Sequence, residues 1–174
     1  MKLPNVHVHR IKGKNMFIKP DYDLKNIYEI NFEELKSHGI KCIMLDLDST
    51  VMMSKSASFL PETIQWFNSF INDFKVAIIS NNTKKEYIEN ASKLAPCQVI
   101  GCAKKPNPKV MKAYLDGIGI KPSEAVMVGD RPLTDILAGK WLGCKTILVG
   151  SINPNENLPT KWVRALERST IKKG

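Results

Sequence analysis

The 174-residue chain carries 26 Lys and Arg against 17 Asp and Glu, a net charge of +9, and its 43% hydrophobic and 25% charged residues are ordinary for a folded, water-facing protein. That length fits one domain, 1–174, able to bury roughly two thirds of its unfolded surface. There is no repeat, no low-complexity tract and no apolar run long enough to span a bilayer, which excludes repeat arrays, disordered chains and membrane-spanning helices.

The surplus of positive charge predicts an anionic partner: a nucleic acid, an anionic membrane surface or a phosphorylated substrate. Residues 1–40 read as an irregular lead-in with a short helix near 31–38, where Asn31 is the N-cap and Glu34 the third helical residue. The opening Met1-Lys2-Leu3-Pro4-Asn5-Val6-His7 has no apolar stretch of signal-peptide kind, so a cytoplasmic location, or a peripheral one at the inner face of a membrane, is expected. His7 and His9 are read as an incidental pair.

From residue 41 onward, short aliphatic runs alternate with longer helical segments, the pattern of βαβ units around a mainly parallel sheet. Strands are predicted at 41–48, 75–80, 98–103, 125–129 and 145–150, with helices at 61–73, 84–94, 108–117 and 132–142. Pro61, Pro108 and Pro132 suit helix starts, and Gly117 and Gly143 suit helix ends. Trp66, Phe67 and Phe70 share a helical face and belong to the core; Met52 and Met53 fill packing gaps; Lys104 faces solvent. Cys42, Cys97, Cys102 and Cys144 form no CxxC pair and are read as reduced core thiols. A last helix is predicted over 159–172.

In such a fold, chemistry gathers beyond the carboxyl ends of the strands. There the chain places Asp46-Leu47-Asp48-Ser49-Thr50, then Ser80-Asn81-Asn82, then Lys104-Lys105-Pro106, then Gly129-Asp130-Arg131. Asp46 and Asp48 are two apart in an extended segment and point the same way, so one carboxylate can attack a phosphorus while the other handles a proton. Mg²⁺ is the implied cofactor, with Asp130 as a further ligand, while the Ser80 hydroxyl and the Lys105 cation cradle the phosphoryl oxygens.

These four strand-end motifs resemble those of the haloacid dehalogenase (HAD) superfamily in order and spacing. The resemblance implies a HAD-like Rossmannoid three-layer α/β sandwich, a phosphatase of the phosphoric monoester hydrolase type, and catalysis through an aspartyl-phosphate. It further implies Asp46 as nucleophile, Asp48 as general acid/base, and Thr50, Ser80, Asn81 and Lys105 as the phosphate-binding set. Metal ligands would be Asp46, Asp130 and Asp48, the last through its backbone carbonyl, and Asp135 would be an acid supporting them. The runs Ile79-Ser80-Asn81-Asn82, Lys105-Pro106, Leu133-Thr134-Asp135 and Thr146-Ile147-Leu148-Val149 are similar to the YqeG-like branch of subfamily IIIA. That branch includes phosphatidylglycerophosphate phosphatases, which implies a membrane lipid as substrate.

HAD enzymes often insert a cap domain after the first motif or between the second and third. Here 51–60 holds at most a flap and 80–105 holds only a helix and a strand, so no cap domain is expected. An open site suits a large or surface-presented substrate. Lys2, Arg10, Lys12, Lys14 and Lys19 near one terminus, and Trp162, Val163 and Leu166 among Lys161, Arg164, Arg168, Lys172 and Lys173 near the other, form basic amphipathic stretches suited to an anionic membrane. The competing reading packs Trp162 and Leu166 on the core. Other readings of function are a phosphatase for a nucleotide, sugar phosphate or phosphoprotein, and a non-catalytic module that binds RNA or another anion.

Overall fold

Strands buried on both faces need apolar residues at every position, and Cys42–Leu45 (β2) and Ala125–Gly129 (β5) are buried throughout. In the computed structural model, which describes residues 18–54, 58–153 and 165–169, these two lie side by side at the centre of a sheet. The other strands are Tyr22–Leu24 (β1), Lys75–Ile79 (β3), Gln98–Ile100 (β4) and Lys145–Val149 (β6), giving the order β1-β6-β5-β2-β3-β4 with every pairing parallel. Helices α1 (Phe32–Ser37), α2 (Pro61–Asn68), α3 (Lys85–Leu94), α4 (Lys109–Gly117) and α5 (Leu137–Leu142) connect them.

Several boundaries differ from expectation, each for a local reason. The first predicted strand stops at Leu45; Asp46 adds one more bond to β5, and the chain then turns left-handed at Ser49, whose φ is 66°. The strand at 98–103 ends at Ile100, two residues before Cys102 at φ 55°. Helix α2 closes at Asn68, and the segment at 132–142 opens as a wide π-helical turn, Pro132–Ile136, before α5. The lead-in contains β1, a strand of three residues too short to show any period. At α1 the Asn31 side chain accepts from the Glu34 N–H at 3.0 Å, the N-cap the sequence predicts.

Alternate strand residues feed two cores, one on each side of the sheet. Ile43, Leu45, Ile78, Val126 and Val128 pack with Trp66, Phe67 and Phe70 of the α2 region, and Phe32 stacks on Phe70 with ring centroids 4.1 Å apart. Cys42, Met44, Ala77, Ile79 and Met127 pack on the opposite side with Met111, Leu115 and Ala138 from α4 and α5. The result is the three-layer sandwich. Between β2 and α2 the described residues add only an isolated bridge, Asp48 to Met52, and no cap domain stands over the sheet end among the described residues. All four cysteines are free; Cys42 and Cys144 are core thiols, but Cys102 is exposed, because the left-handed turn at that position carries it out of the strand. Met52 is buried in the core and Lys104 is exposed.

From β2 the chain winds outward through β3 and β4, then returns to the other side of β2 with β5 and β6. The strand order therefore reverses between β2 and β5, and a crevice opens there at their carboxyl ends. At the far edge, Asp21 fastens β1 to β6: its Oδ2 accepts from the Thr146 N–H and hydroxyl, both at 2.8 Å, and from Lys140 Nζ at 2.7 Å. Burial pushes this carboxyl up, but the hydrogen bonds from Lys140 and Thr146 outweigh it and hold the group below its ordinary value. A depressed folded-state value means the stabilisation is present above the unfolded value of about 4 and is lost as pH falls through the folded one. Asp21→Asn is expected to lower stability by about 1–2 kcal/mol at pH 7. Urea titrations should show that deficit shrinking at pH 3; an equal deficit at both pH values would contradict the role of the charge.

Of the terminal segments, residues 165–169 are helical. Leu166 is 66% exposed there, which overturns the packing of this residue on the core. His7, His9, the basic residues at 1–17, Trp162 and Val163 lie outside the described residues. No helix among the described residues is long and apolar enough to cross a membrane.

Candidate active site

Asp46 is the first residue past β2, and its N–H donates to the Val128 carbonyl of β5 at 2.9 Å, so the adjoining strand fixes where its side chain stands. Lys105 reaches it from the loop after β4. The ammonium has three protons to place. They go to Asp46 Oδ1 at 2.6 Å, Asp135 Oδ1 at 2.7 Å and the Ile79 carbonyl at 2.7 Å, with the side chain 1% exposed. Burial alone would push this ammonium down, but Asp135 and Asp46 together raise it above its ordinary value. Asp46 in turn is pushed up by burial to about 6, with Lys105 pulling the other way.

Asp130 is the first residue past β5, one position beyond Gly129, which stands opposite Asp46 when the Leu45–Val128 pairing is carried on. Thr50 Oγ1 sits between them, 3.4 Å from Asp46 Oδ2 and 3.3 Å from Asp130 Oδ1. Asp135 folds back from the π-helical turn, where its Oδ2 accepts from the Arg131 N–H at 3.1 Å. Its side chain fills the space beside Gly129, where an added Cβ would come 2.4 Å from it, so only glycine lets β5 end so close to this carboxylate. One oxygen each from Asp46, Asp130 and Asp135 lies within 4.8 Å of the others. Three buried carboxylates thus face one ammonium. The excess of negative charge and the all-oxygen donor set fit a hard divalent cation such as Mg²⁺.

The remaining predicted residues line the same crevice in different ways. Ser80, 1% exposed at the end of β3, accepts from the Asn82 N–H through its Oγ at 3.0 Å. Asn81 grips the main chain of Lys105 from both sides, accepting from its N–H at 2.7 Å and donating to its carbonyl at 3.0 Å. Asp48 stands apart from the carboxylate cluster and accepts at its Oδ1 from the Tyr87 hydroxyl of α3 at 2.5 Å. Ser49, Cys102 and Lys104 hold left-handed φ values of 66°, 55° and 56°, so the non-glycine strain of the described chain is concentrated in the two loops that carry Asp46 and Lys105.

Two features escape sequence reasoning. Tyr87 lies 39 residues from Asp48, on a helix with no motif of its own. Arg131 pairs through Nη2 and Nε with Glu167 at 2.5 and 3.2 Å, tying the helix at 165–169 to the loop that carries Asp130. An arginine beside a motif aspartate is a weak signal, and nothing in spacing points to a partner 36 residues away.

A HAD-hydrolase-like family model matches residues 102–160. Over 156 residues, 89% of this chain and 90% of the relative, the chain is 33% identical to the probable phosphatase YqeG of Bacillus subtilis. The chain belongs to the HAD superfamily, in its YqeG-like branch. As a HAD phosphatase it is also 30% identical, over 90% of its own length, to phosphatidylglycerophosphate phosphatase 1 of Arabidopsis thaliana, of which it spans about half, 48%. A solved HAD family enzyme from Bacteroides thetaiotaomicron, in complex with magnesium and inorganic phosphate, shares the fold with a TM-score of 0.50 at 12% identity, covering 71% of this chain and 99% of that one. HAD membership decides between the catalytic and the purely anion-binding readings in favour of the enzyme.

Proposed function

We propose that this HAD phosphatase removes the terminal phosphate of phosphatidylglycerophosphate at a membrane surface, releasing phosphatidylglycerol and inorganic phosphate. The observation that carries the chemistry is the buried grouping of Asp46 with Lys105, Asp130 and Asp135 at the open end of β2 and β5. The substrate rests on the plant relative's name and on a crevice with no cap domain among the described residues, which suits a headgroup presented by a bilayer.

In this reading, an Asp46 carboxylate oxygen bonds to the phosphorus as the phosphorus–oxygen bond to the glycerol breaks, and Asp48 gives its proton to the departing oxygen. Water then attacks the phosphorus of the aspartyl-phosphate, Asp48 takes up the water's proton, and phosphate leaves with the Asp46 carboxylate restored. Lys105 balances the charge at Asp46, Thr50 and Ser80 orient phosphoryl oxygens, and Asn81 keeps Lys105 in place. Mg²⁺ would be held by Asp46, Asp130 and the Asp48 carbonyl, with Asp135 behind them, and supplies neutralising charge for the phosphoryl group. As part of the same proposal the enzyme works in the cytoplasm at the inner face of a membrane, where its net charge of +9 favours anionic headgroups.

The test supplies phosphatidylglycerophosphate in mixed vesicles, with and without Mg²⁺, and follows inorganic phosphate. Release that needs the metal is the expected result. Hydrolysis of soluble phosphoesters alone, such as a nucleotide or sugar phosphate, would overturn the lipid assignment while leaving the phosphatase chemistry in place.

A further inference from the structure

We propose that Tyr87 is a positioning residue for catalysis: its hydroxyl fixes the Asp48 carboxyl so that one defined oxygen carries the proton delivered to the leaving group. The inference rests on the proposed role of Asp48 as the general acid. It goes beyond that reading by assigning a function to a residue of α3, an element that bears none of the four strand-end motifs.

The geometry is direct. Tyr87 Oη lies 2.5 Å from Asp48 Oδ1, the short range of a hydroxyl bonded to a carboxylate. A phenol keeps its proton at neutral pH and is the donor here, so Oδ1 must accept. When Asp48 is in its acid form, the proton is therefore confined to Oδ2. An unrestrained carboxyl on a loop samples both oxygens and several rotamers, and only one arrangement delivers a proton to a given leaving oxygen.

The surroundings explain why a tether is needed. Asp48 is half-buried in a crevice with no cap domain over it among the described residues, and it directly precedes Ser49, where the loop turns left-handed at a φ of 66°. Its carboxyl lies outside the cluster of Asp46, Asp130 and Asp135, so Lys105 does not hold it. Tyr87, by contrast, has its ring packed against the large core cluster from the first turn of a ten-residue helix. A rigid ring thus lends its orientation to a loop carboxylate.

The bonds changed in the step are those already described: phosphorus to Asp46 forms, phosphorus to the leaving oxygen breaks, and the Oδ2 proton of Asp48 goes to that oxygen. Tyr87 transfers nothing and remains protonated throughout. Its effect must therefore appear only where the leaving group needs a proton.

That requirement makes the test selective. An alkyl ester, glycerol 3-phosphate, expels a strongly basic alkoxide and needs the acid, whereas 4-nitrophenyl phosphate expels a stable phenolate and scarcely does. We compare kcat/KM on both esters for the wild type, Tyr87→Phe, Asp48→Asn and the double variant. Tyr87→Phe keeps the ring packing and should lower the alkyl value roughly 10-fold more than the aryl value. Asp48→Asn should do so by ~10²–10⁴-fold, and the double variant should be no worse than Asp48→Asn on the alkyl ester.

Equal losses on the two esters in Tyr87→Phe, or losses that multiply in the double variant, would overturn the inference, since a structural defect ignores the leaving group. Failure of the parent reading looks different: Asp48→Asn would then slow both esters alike, removing Asp48 as the acid and Tyr87 with it.

Discussion

Asp46→Asn is expected to lower kcat/KM for any phosphomonoester by at least ~10⁴-fold, because an amide oxygen is not a nucleophile that can accept and release a phosphoryl group. The fold should survive. Asn fills the same volume, and Lys105 keeps two of its three partners, Asp135 at 2.7 Å and the Ile79 carbonyl at 2.7 Å. Removing a carboxyl that burial has already pushed up to about 6 also removes a charge the interior holds reluctantly. Phosphate release together with a thermal midpoint within a few degrees of the wild type is the pair of readings to take; activity within tenfold of the wild type would exclude Asp46 as the nucleophile.

Lys105→Met should behave in the opposite way, losing the structure along with the reaction. Methionine matches the stem but leaves Asp46, Asp135 and the Ile79 carbonyl with no buried cation between them. Breaking a buried ion pair by deleting one partner typically costs ~3–5 kcal/mol, which for a chain of this size lowers the melting midpoint by roughly 10 °C. Divalent cation should restore part of the midpoint, since it offsets the same negative charge. A melting curve unchanged from the wild type would mean that Lys105 is not the electrostatic keystone of the site. Comparing the two variants separates the charge that reacts from the charge that holds the crevice together.

The central residues of the crevice are legible in sequence because each follows an aliphatic run directly: Asp46 after Leu45, Ser80 after Ile79, Asp130 after Gly129. Parallel strands ending on one side bring such residues together whatever their separation along the chain. Lys105 belongs to the same logic with a longer loop. What composition and spacing do not carry is side-chain reach. Asn81 stands in a phosphate-binding motif, yet both ends of its amide are engaged with the Lys105 main chain. Tyr87 and Glu167 meet the site only through tertiary packing, from helices whose periodicity reports burial rather than purpose. The strand β1 was illegible for another reason: three residues with an exposed aspartate at the centre show neither alternation nor a continuous apolar run.

That same strand sets an order of events. Tyr22–Leu24 pairs with Ile147–Val149, and the Asp21 lock on Thr146 spans 125 positions of sequence. At about 5–20 residues per second of synthesis, β1 waits roughly 6–25 s on the ribosome before β6 is made. Meanwhile β2 and β3 can pair as soon as Lys75–Ile79 has emerged, and β5 adds to their other side with Asp130. The reactive crevice is therefore assembled from strands made between the two halves of one pair, with β1 synthesised before them and its neighbour β6 after them.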